Sequence, residues 1–459
     1  MKKILAILIV LVICLSFSGC DYSILSVDSL MRPPKLSGES RLLQKAFEES
    51  VSDIEGIIMK TPISGQNRSS YLFFDLDNDG TDEALVFYSN PMEDICAYVS
   101  IFKSIGNEWE NISVIKGKSE EIYEVNFADI NGDSVFEIFL SWTGMVTSDK
   151  VVTSDFGTSN DRVLTVYGLD DNTTTLLKTE IYTNLFYEDL NNDYSDEIVI
   201  FRINLTDNEK RTTARILSFN DDYSVGYDEI HTLTGFLEIH NIKTDTIQME
   251  DDSHTRIFVD GSVSEIGVLT ELIDINKETF EIQLPLLEQN KSQQPRTLRD
   301  SRVYCQDIDD DGLIEIPTLE VLPYSARVSE NDTERKVLNL TVWSEFVDNE
   351  FKTDFKCLMN SSLGYMFKMP EDVINNITAV YDDNGFILKF YNIDTDGTYL
   401  DEIVSIKTFL EPDWEKNDYD YTKISENKTY VYGMLISDSV DEEKIKDFIN
   451  ENFCILNQE

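Results

Sequence analysis

The stretch FFDLDNDGTDEALVFY, residues 73–88, places a packet of acidic residues between two runs of aromatic and aliphatic residues. The flanking runs are rich in β-branched and aromatic types, a pattern that favours two strands joined by a short connection. Alternate side chains of a tight loop can point at one centre, and carboxylates held that close repel one another unless a cation lies between them. The stretch therefore predicts a cation-binding turn between two β-strands.

The acidic packet occurs four times, with an acid or its amide at positions 1, 3, 5 and 9 and an aliphatic residue at position 2. The copies are DLDNDGTDE from Asp75, DINGDSVFE from Asp129, DLNNDYSDE from Asp189 and DIDDDGLIE from Asp307. Their first residues lie 54, 60 and 118 residues apart, and the last interval is about twice the others. One repeat therefore lacks its packet, and residues 255–273 lie in that gap with a strand–turn–strand pattern.

Repeats of this length built from strands are typical of propellers and solenoids, because one small sheet cannot bury both of its faces alone. We favour a propeller, since closure of the ring protects the edges of the sheets. The predicted fold is mainly β: a β-propeller followed by a small C-terminal α+β domain.

Calcium is the predicted ion, because it accepts about six to eight oxygen ligands from carboxylates, carbonyls and water. Each loop offers the side chains at positions 1, 3, 5 and 9 and the backbone carbonyl at position 7. The predicted ligands are Asp75, Asp77, Asp79, Thr81 and Glu83; Asp129, Asn131, Asp133, Val135 and Glu137; Asp189, Asn191, Asp193, Ser195 and Glu197; and Asp307, Asp309, Asp311, Leu313 and Glu315.

Position 6 divides the four loops into two pairs. Gly80 and Gly312 occupy it in the first and last copies and allow a positive φ. Ser134 and Tyr194 replace glycine in the other two, which predicts weaker sites.

An EF-hand is excluded, because that loop requires a glutamate at position 12 and flanking helices. The alternative to calcium binding is that the four acidic loops are solvent-exposed turns without a metal ion.

The segments FDLDNDGTDEALVF, FADINGDSVFEIFL and CQDIDDDGLIEIPT resemble the FG-GAP, or VCBS, repeats of integrin-α-like β-propellers. The resemblance covers roughly residues 65–326. It implies FG-GAP/VCBS-type blades with calcium between their strands and usually a role in binding, but it implies no reaction. The segment DSLMRPPKLSGES is similar to the start of VCBS-repeat lipoproteins of Gram-positive bacteria.

The first residues, MKKILAILIVLVICLSFSGC, have two lysines, an apolar run and small residues before a cysteine. This layout is typical of a signal peptide, here residues 1–19, and it resembles a bacterial lipobox except that Phe17 stands where leucine is usual. Cys20 is the predicted lipidation site, which would hold the protein on the extracytoplasmic face of the cell membrane. The alternative is an ordinary secretory signal with a coincidental cysteine.

The remaining chain divides into three parts: a tether at 20–38, the propeller at 39–359 and the α+β domain at 360–459. A short helix is predicted over 39–51, and a last helix is predicted to begin at a capping box, Ser439 to Glu442. Within the last part, NIDTDGTYLDE at 392–402 imitates the acidic packet, but its closing acids are displaced, so a hairpin turn without metal is predicted.

Charge and motifs limit the function. The formal net charge of −48 repels nucleic acid and anionic lipid head groups, so no nucleic-acid partner is expected. The predicted partners are the cell membrane, through the lipid, and an extracellular glycan or protein ligand. Common catalytic motifs are absent and there are three histidines. The sequence predicts a non-catalytic protein for binding or scaffolding at the cell surface; the alternative is a calcium-dependent carbohydrate-active enzyme of the cell envelope.

Overall fold

The computed structural model describes residues 38–456 except 93–95, 107, 144–145, 148–149, 152–160, 171, 206–209, 250–251, 266, 301, 326–336, 383–384 and 415–419. The predicted signal peptide, the lipidation site Cys20 and nearly all of the tether lie outside the described residues. Within the part that is described, no helix is both long and apolar enough to cross a membrane.

Six antiparallel sheets follow one another along the chain, and we call the first five units one to five. Unit one contains β1 to β5, at Ile58–Met59, Tyr71–Phe74, Glu83–Ser89, Ala97–Ile105 and Glu108–Lys116. Unit two contains β6, β7, β10 and β11, at Ile122–Ala128, Glu137–Thr143, Arg162–Asp170 and Thr173–Tyr182. The strands β8 and β9, Val146–Thr147 and Lys150–Val151, form a separate pair between β7 and β10.

Units three and four are four-stranded meanders whose strand order follows the chain. Unit three contains β12 to β15, at Asn184–Glu188, Glu197–Leu205, Lys210–Phe219 and Val225–Leu233. Unit four contains β16 to β19, at Glu238–Gln248, Ser253–Ser262, Val268–Asn276 and Ile282–Gln283.

Unit five and the sixth sheet complete the described strands. Unit five contains β20 to β23 and β29, at Ile316–Val321, Asn339–Val347, Glu350–Asn360, Tyr365–Lys368 and Phe453–Ile455. The sixth sheet contains β24 to β28, at Ile377–Tyr381, Ile387–Ile393, Tyr399–Leu410, Thr422–Glu426 and Tyr430–Ile436. The helices α1 to α5 span Gly38–Ser50, Leu287–Asn290, Glu371–Ile374, Glu411–Trp414 and Glu442–Asn452.

The sheets stack because the strand that begins after each acidic packet is apolar on both of its faces. In β3, Ala84 and Val86 pack with Leu43 and Phe47 of α1, whereas Leu85 contacts the core shared with unit two. Successive side chains of a strand point to opposite faces, so one strand feeds two interfaces. Burial of each large apolar side chain contributes about 1.5–3 kcal/mol, which makes these interfaces the main source of stability.

The same arrangement continues from unit to unit. Successive core clusters join unit one to two, two to three, three to four, four to five, and unit five to the sixth sheet. Among the described residues, no core cluster contains side chains from both unit one and unit five. The mainly β fold of small sheets is therefore confirmed, while closure into a propeller stays a prediction.

The repeat without an acidic packet is unit four. Its strands β17 and β18 pair antiparallel in the region where the sequence predicted a strand–turn–strand segment. A short connection, residues 249–252, joins β16 to β17 in place of the longer acidic loop found in the other units.

The C-terminal part contains the sixth sheet and α5. The N-cap of α5 is Asp441, whose side chain accepts a hydrogen bond from the backbone N–H of Lys444, so the predicted capping box at Ser439 is wrong. Unit five extends past residue 360, because β23 pairs with β22 and β29 pairs with β23. The four described cysteines, Cys96, Cys305, Cys357 and Cys454, are free thiols.

Candidate metal centres

The four acidic loops lie at residues 75–83, 129–137, 189–197 and 307–315, and we call them loops one to four. Loop one connects β2 to β3, loop two connects β6 to β7, loop three connects β12 to β13, and loop four precedes β20 of unit five. Each loop thus ends where a buried strand begins.

One hydrogen-bond frame is common to all four loops. The carboxylate at position 1 accepts two backbone N–H groups; in loop one, Asp75 accepts from Asp79 at 3.0 Å and from Gly80 at 2.9 Å. The carboxylate at position 5 accepts from the N–H at position 7 at 2.8–2.9 Å in each loop. These bonds fix the acidic side chains on the inner side of the turn.

Positions 4 and 6 take a positive φ in every loop. Glycine occupies position 6 at Gly80 and Gly312, with φ of 87° and 92°. Ser134 and Tyr194 adopt the same conformation at φ of 68° and 73°, although their side chains disfavour it. The backbone of the turn is therefore retained where the sequence has lost its glycine.

The glutamate at position 9 closes each loop and is completely buried. One of its oxygens, Oε2, accepts the backbone N–H of position 2 at 2.9 Å in all four loops. The other oxygen, Oε1, differs between loops. It accepts from the Tyr223 hydroxyl at 2.8 Å in Glu137 and from the Asn191 amide at 3.3 Å in Glu197. In Glu83 and Glu315 it is buried without a hydrogen-bond partner among the described residues.

Burial makes these glutamates hard to ionise in the absence of a cation. Burial, with a smaller contribution from neighbouring loop carboxylates, raises the pKa of Glu137 and Glu315 to about 7 and the pKa of Glu197 to about 8. Burial also raises the pKa of Glu83. A bound divalent cation would favour the ionised form of each side chain, which is the form that the loop geometry supplies as a ligand.

Loop one has an ammonium group among its predicted ligands. The Lys103 Nζ, from β4, forms an ion pair with Asp77 and lies 3.4 Å from the Asp79 Oδ2 and 3.6 Å from the Glu83 Oε1. Hydrogen bonding to Asp77 raises the pKa of Lys103, so the lysine stays charged. Asp75, Asp77 and Glu83 each place an oxygen within 4.8 Å of the other two. Loop one therefore has both a cation-binding geometry and an internal cation.

The position of Lys103 on β4, the strand that pairs with β3, has counterparts in the other units. The register pairs Ala84 with Phe102 and Ile316 with Ser344, so the next residues, Lys103 and Glu345, lie beside the closing glutamates Glu83 and Glu315. The equivalent residues are Gly168 in unit two and Ser218 in unit three. The neighbour of the closing glutamate is thus cationic, neutral or anionic depending on the unit.

Loop four brings its acids together in two groups. Asp307, Asp309 and Asp311 each place an oxygen within 4.8 Å of the others. A second group, under the same criterion, contains Glu315 together with Glu345 and Asp354 from the hairpin of β21 and β22. Neither Glu345 nor Asp354 was predicted from the sequence, because both lie outside the nine-residue motif.

Loops two and three use their asparagines differently from the predicted pattern. The Asn131 amide nitrogen donates to Asp133 at 3.0 Å, and that of Asn191 donates to Asp193 at 2.9 Å. Within the described part of the chain, the acids of these two loops form no group of three that meets the distance criterion of loops one and four.

Neighbouring loops contact one another through their backbone. The N–H of Phe136 in loop two donates to the carbonyl of Leu76 in loop one at 2.8 Å, and the N–H of Asp196 in loop three donates to the carbonyl of Asp129 at 2.7 Å. In unit four, which has no acidic loop, the carboxylate of Asp245 accepts from the N–H of Ile314 in loop four at 2.8 Å. Loops two, three and four are therefore each in contact with the unit before them.

The C-terminal segment at 392–402 is a turn between β25 and β26, as predicted. The backbone N–H of Gly397 donates to the carbonyl of Asp394 at 2.9 Å, and the side chains of Asp394 and Asp396 accept backbone N–H groups of the turn. The turn is therefore confirmed, and the absence of metal from it stays a prediction.

Comparisons with known proteins give little to set beside this geometry. No family model matches the chain, and no curated protein matches it. One solved structure that aligns with it is the GH43 protein BlXynB from Bacillus licheniformis, at 8% sequence identity and a TM-score of 0.24. The alignment covers 81% of this chain and 94% of that one.

This comparison corrects one prediction. The sequence predicted that the chain is not an enzyme, but the solved structure with which it aligns bears the name of a glycoside hydrolase family. Absence of catalysis is therefore not retained. At this identity and TM-score the likeness carries no argument about substrate or mechanism.

Proposed function

We propose that the chain is a lipid-anchored protein of the extracytoplasmic face, with sheets held in order by structural calcium ions and a surface that binds an extracellular glycan or protein. The observation that carries the metal assignment is the closing glutamate. It is completely buried in all four loops, and in loops one and four its Oε1 has no hydrogen-bond partner among the described residues.

A buried carboxylate oxygen without a hydrogen-bond donor is unfavourable, because a charged group loses its hydration on burial. A divalent cation with a preference for oxygen ligands removes that cost and also screens the repulsion between the other acids of the loop. Calcium fits the set better than magnesium, since the loops supply many carboxylates in a flexible frame and magnesium requires a stricter octahedron. Loop four is the strongest candidate, because no lysine lies among its acids in the described structure.

Calorimetric titration of the full chain with calcium tests the metal assignment. Asp309→Ala removes a ligand from loop four and is expected to reduce the number of bound calcium ions by at least one. Asn392→Ala, at the acidic turn of the sixth sheet, is the matched control and is expected to leave the number unchanged. A wild-type protein that binds no calcium at millimolar concentration would show that the acids are solvated turns.

The lipid anchor has a separate test. Labelled palmitate is expected to enter the wild-type protein in bacterial cells and to be absent from Cys20→Ser. Equal labelling of both proteins would contradict lipidation at Cys20 and leave the calcium assignment untouched.

A calcium-dependent carbohydrate-active enzyme is the second candidate. The observation in its favour is the set of buried glutamates with a pKa near neutral pH, since a glycosidase needs one carboxyl group that is protonated at neutral pH as its general acid. A reducing-sugar assay of the purified protein on a panel of polysaccharides tests it. Hydrolysis of one of the polysaccharides by the wild-type protein would support the enzyme. Inactivity on the whole panel, together with binding to a glycan array, would support the binding role.

A further inference from the structure

The hairpin of β21 and β22 carries two carboxylates where the equivalent hairpins carry other residues. Glu345 lies at the position that Lys103 occupies in unit one. Asp354 is the extra residue of a β-bulge, because Trp343 pairs with Phe355 and Ser344 pairs with Thr353. A bulge of this kind changes the direction of a side chain relative to the sheet.

Units one and two have a bulge at the same place relative to the closing glutamate, and their extra residues are Ile112 and Leu177. Both of these side chains are partly buried against the cores between units. In unit five the equivalent residue is an aspartate, which points toward Glu315. The exchange of an apolar residue for an acid at this place is not required by the packing of the sheets.

The acids of this group lack a positively charged partner. In the described structure, no ion pair involves Glu315, Glu345 or Asp354. The nearest cationic side chains already have partners: Arg256 is paired with the buried Asp245, and the Lys352 Nζ lies 3.4 Å from Asp348. The buried Glu315 Oε1, which has no hydrogen-bond donor, belongs to the same group.

Three further acids of unit five, Asp307, Asp309 and Asp311, form their own group of oxygens in the loop. Asp309 and Asp311 interact electrostatically with both Glu315 and Asp354, so the two groups are neighbours. One divalent cation in the loop would leave most of this negative charge uncompensated. Like charges at a few ångströms repel strongly where water is partly excluded.

We propose that Glu315, Glu345 and Asp354 hold a second divalent cation beside the one assigned to loop four. This inference rests on the proposed calcium function and deepens it, because it places a two-ion centre in unit five. The ligands are all carboxylate oxygens, which suit calcium, and Glu315 lies at the boundary between the two ions.

Equilibrium dialysis of the full chain against radioactive calcium tests the proposal. The concentration should reach about 10 mM, ten times the weakest dissociation constant usual for extracellular calcium modules. The double variant Glu345→Gln/Asp354→Asn keeps the size of both side chains and is expected to bind one calcium ion fewer than the wild type. Glu350→Gln, an exposed acid on the same hairpin, is the matched control and is expected to bind the wild-type number.

Three outcomes separate this proposal from the calcium assignment itself. If the double variant binds as many ions as the wild type while Asp309→Ala loses one, the second ion is wrong and the loop site stands. If the wild type binds none, both are wrong. The third outcome is the melting temperature in EDTA. The double variant is expected to melt at a higher temperature than the wild type, because two of the mutually repelling carboxylates have been removed. A lower melting temperature would show that the two acids are structural and would overturn the proposal.

Discussion

Loops one and four share the same nine-residue pattern, the same backbone hydrogen bonds and a glycine at position 6, yet their surroundings have opposite charge. Beside the closing glutamate of loop one lies Lys103, in ion-pair contact with Asp77, Asp79 and Glu83. Beside that of loop four lie Glu345 and Asp354. The loop fixes where the carboxylates point, and the neighbouring strands, β4 in unit one and β21 and β22 in unit five, decide what compensates them.

The difference teaches that four copies of a motif need not be four equal metal sites. In unit one the protein carries its own cation, so the loop can remain folded without calcium. In unit five no described side chain forms an ion pair with Glu315, Glu345 or Asp354, so the stability of that region should depend on ions from solution. Two charge substitutions test this contrast, the larger expected effect first, and two further experiments test the turn frame and the buried glutamates that the loops share.

Lys103→Met removes the internal cation of loop one. In EDTA we expect a loss of about 2–3 kcal/mol in the free energy of unfolding, less than for a fully buried pair because the lysine is partly exposed. Calcium should restore most of the lost stability, because without the ammonium group the carboxylates of loop one can all bind the calcium ion. The midpoint of thermal or urea unfolding, with and without calcium, measures both effects.

The matched control is Lys45→Met, which breaks an exposed pair with Glu49 on α1 and should change stability by less than about 0.5 kcal/mol. If Lys103→Met is destabilised equally in calcium and in EDTA, the lysine packs against the loop but does not act as its cation.

Glu345→Lys gives unit five the charge arrangement of unit one. We expect the calcium-free protein to become more stable by about 1 kcal/mol, because the new ammonium faces several carboxylates. The rise in melting temperature on addition of calcium should become smaller than in the wild type. Differential scanning calorimetry measures the two shifts together.

Glu350→Lys introduces the same charge at an exposed site of the same hairpin and serves as the control. An unchanged calcium response in Glu345→Lys would mean that position 345 does not influence the metal centre, and the contrast between units one and five would fail.

Ser134→Gly and Tyr194→Gly test whether the shared backbone frame carries strain in loops two and three. Each substitution should stabilise the protein by about 0.5–1 kcal/mol, since glycine adopts a positive φ without steric cost. Tyr194 is 86% exposed, so its removal sacrifices little packing.

The reciprocal change is Gly312→Ala in loop four. A Cβ at this position would meet no atom within 4 Å, so any loss comes from backbone strain alone and should be about 1 kcal/mol. Urea unfolding in saturating calcium gives both values. A destabilised Tyr194→Gly would show that the tyrosine contributes contacts that outweigh the strain.

The pH dependence of the calcium-free protein tests the buried closing glutamates. Burial raises the pKa of Glu137 to about 7 and that of Glu197 to about 8, above the usual 4.5. Between about pH 4.5 and each raised pKa, the folded protein keeps a proton that the unfolded chain has released. The stability of the folded protein therefore falls as pH rises from about 4.5 toward 8.

Calcium requires the ionised glutamates, so its stabilising effect should be larger at pH 8 than at pH 6. Melting temperatures at the two pH values, in EDTA and in calcium, measure the difference. Glu197→Gln should flatten the calcium-free profile in part. A calcium-free melting temperature that rises between pH 6 and pH 8 would contradict the proton linkage.

Several features of the molecule follow from the sequence alone. The spacing of Asp75, Asp129, Asp189 and Asp307 predicts the repeated strand–loop–strand units and the repeat that lacks its loop. Local rules are enough here, because alternation within a strand and the turn geometry of nine residues depend on near neighbours in the chain. The positive φ at Gly80 and Gly312 is likewise a feature that the sequence alone predicts.

Tertiary structure decided what the loops contact. Lys103 lies 20 residues after Glu83 in the chain and Asp354 lies 39 residues after Glu315, and strand register with a bulge brings each to its loop. A register error of one residue would turn every such side chain to the opposite face, and periodicity in the sequence does not fix register between strands. The motif thus determines a frame for a cation, whereas pairing between strands determines whether that cation is a lysine of the chain or an ion from solution.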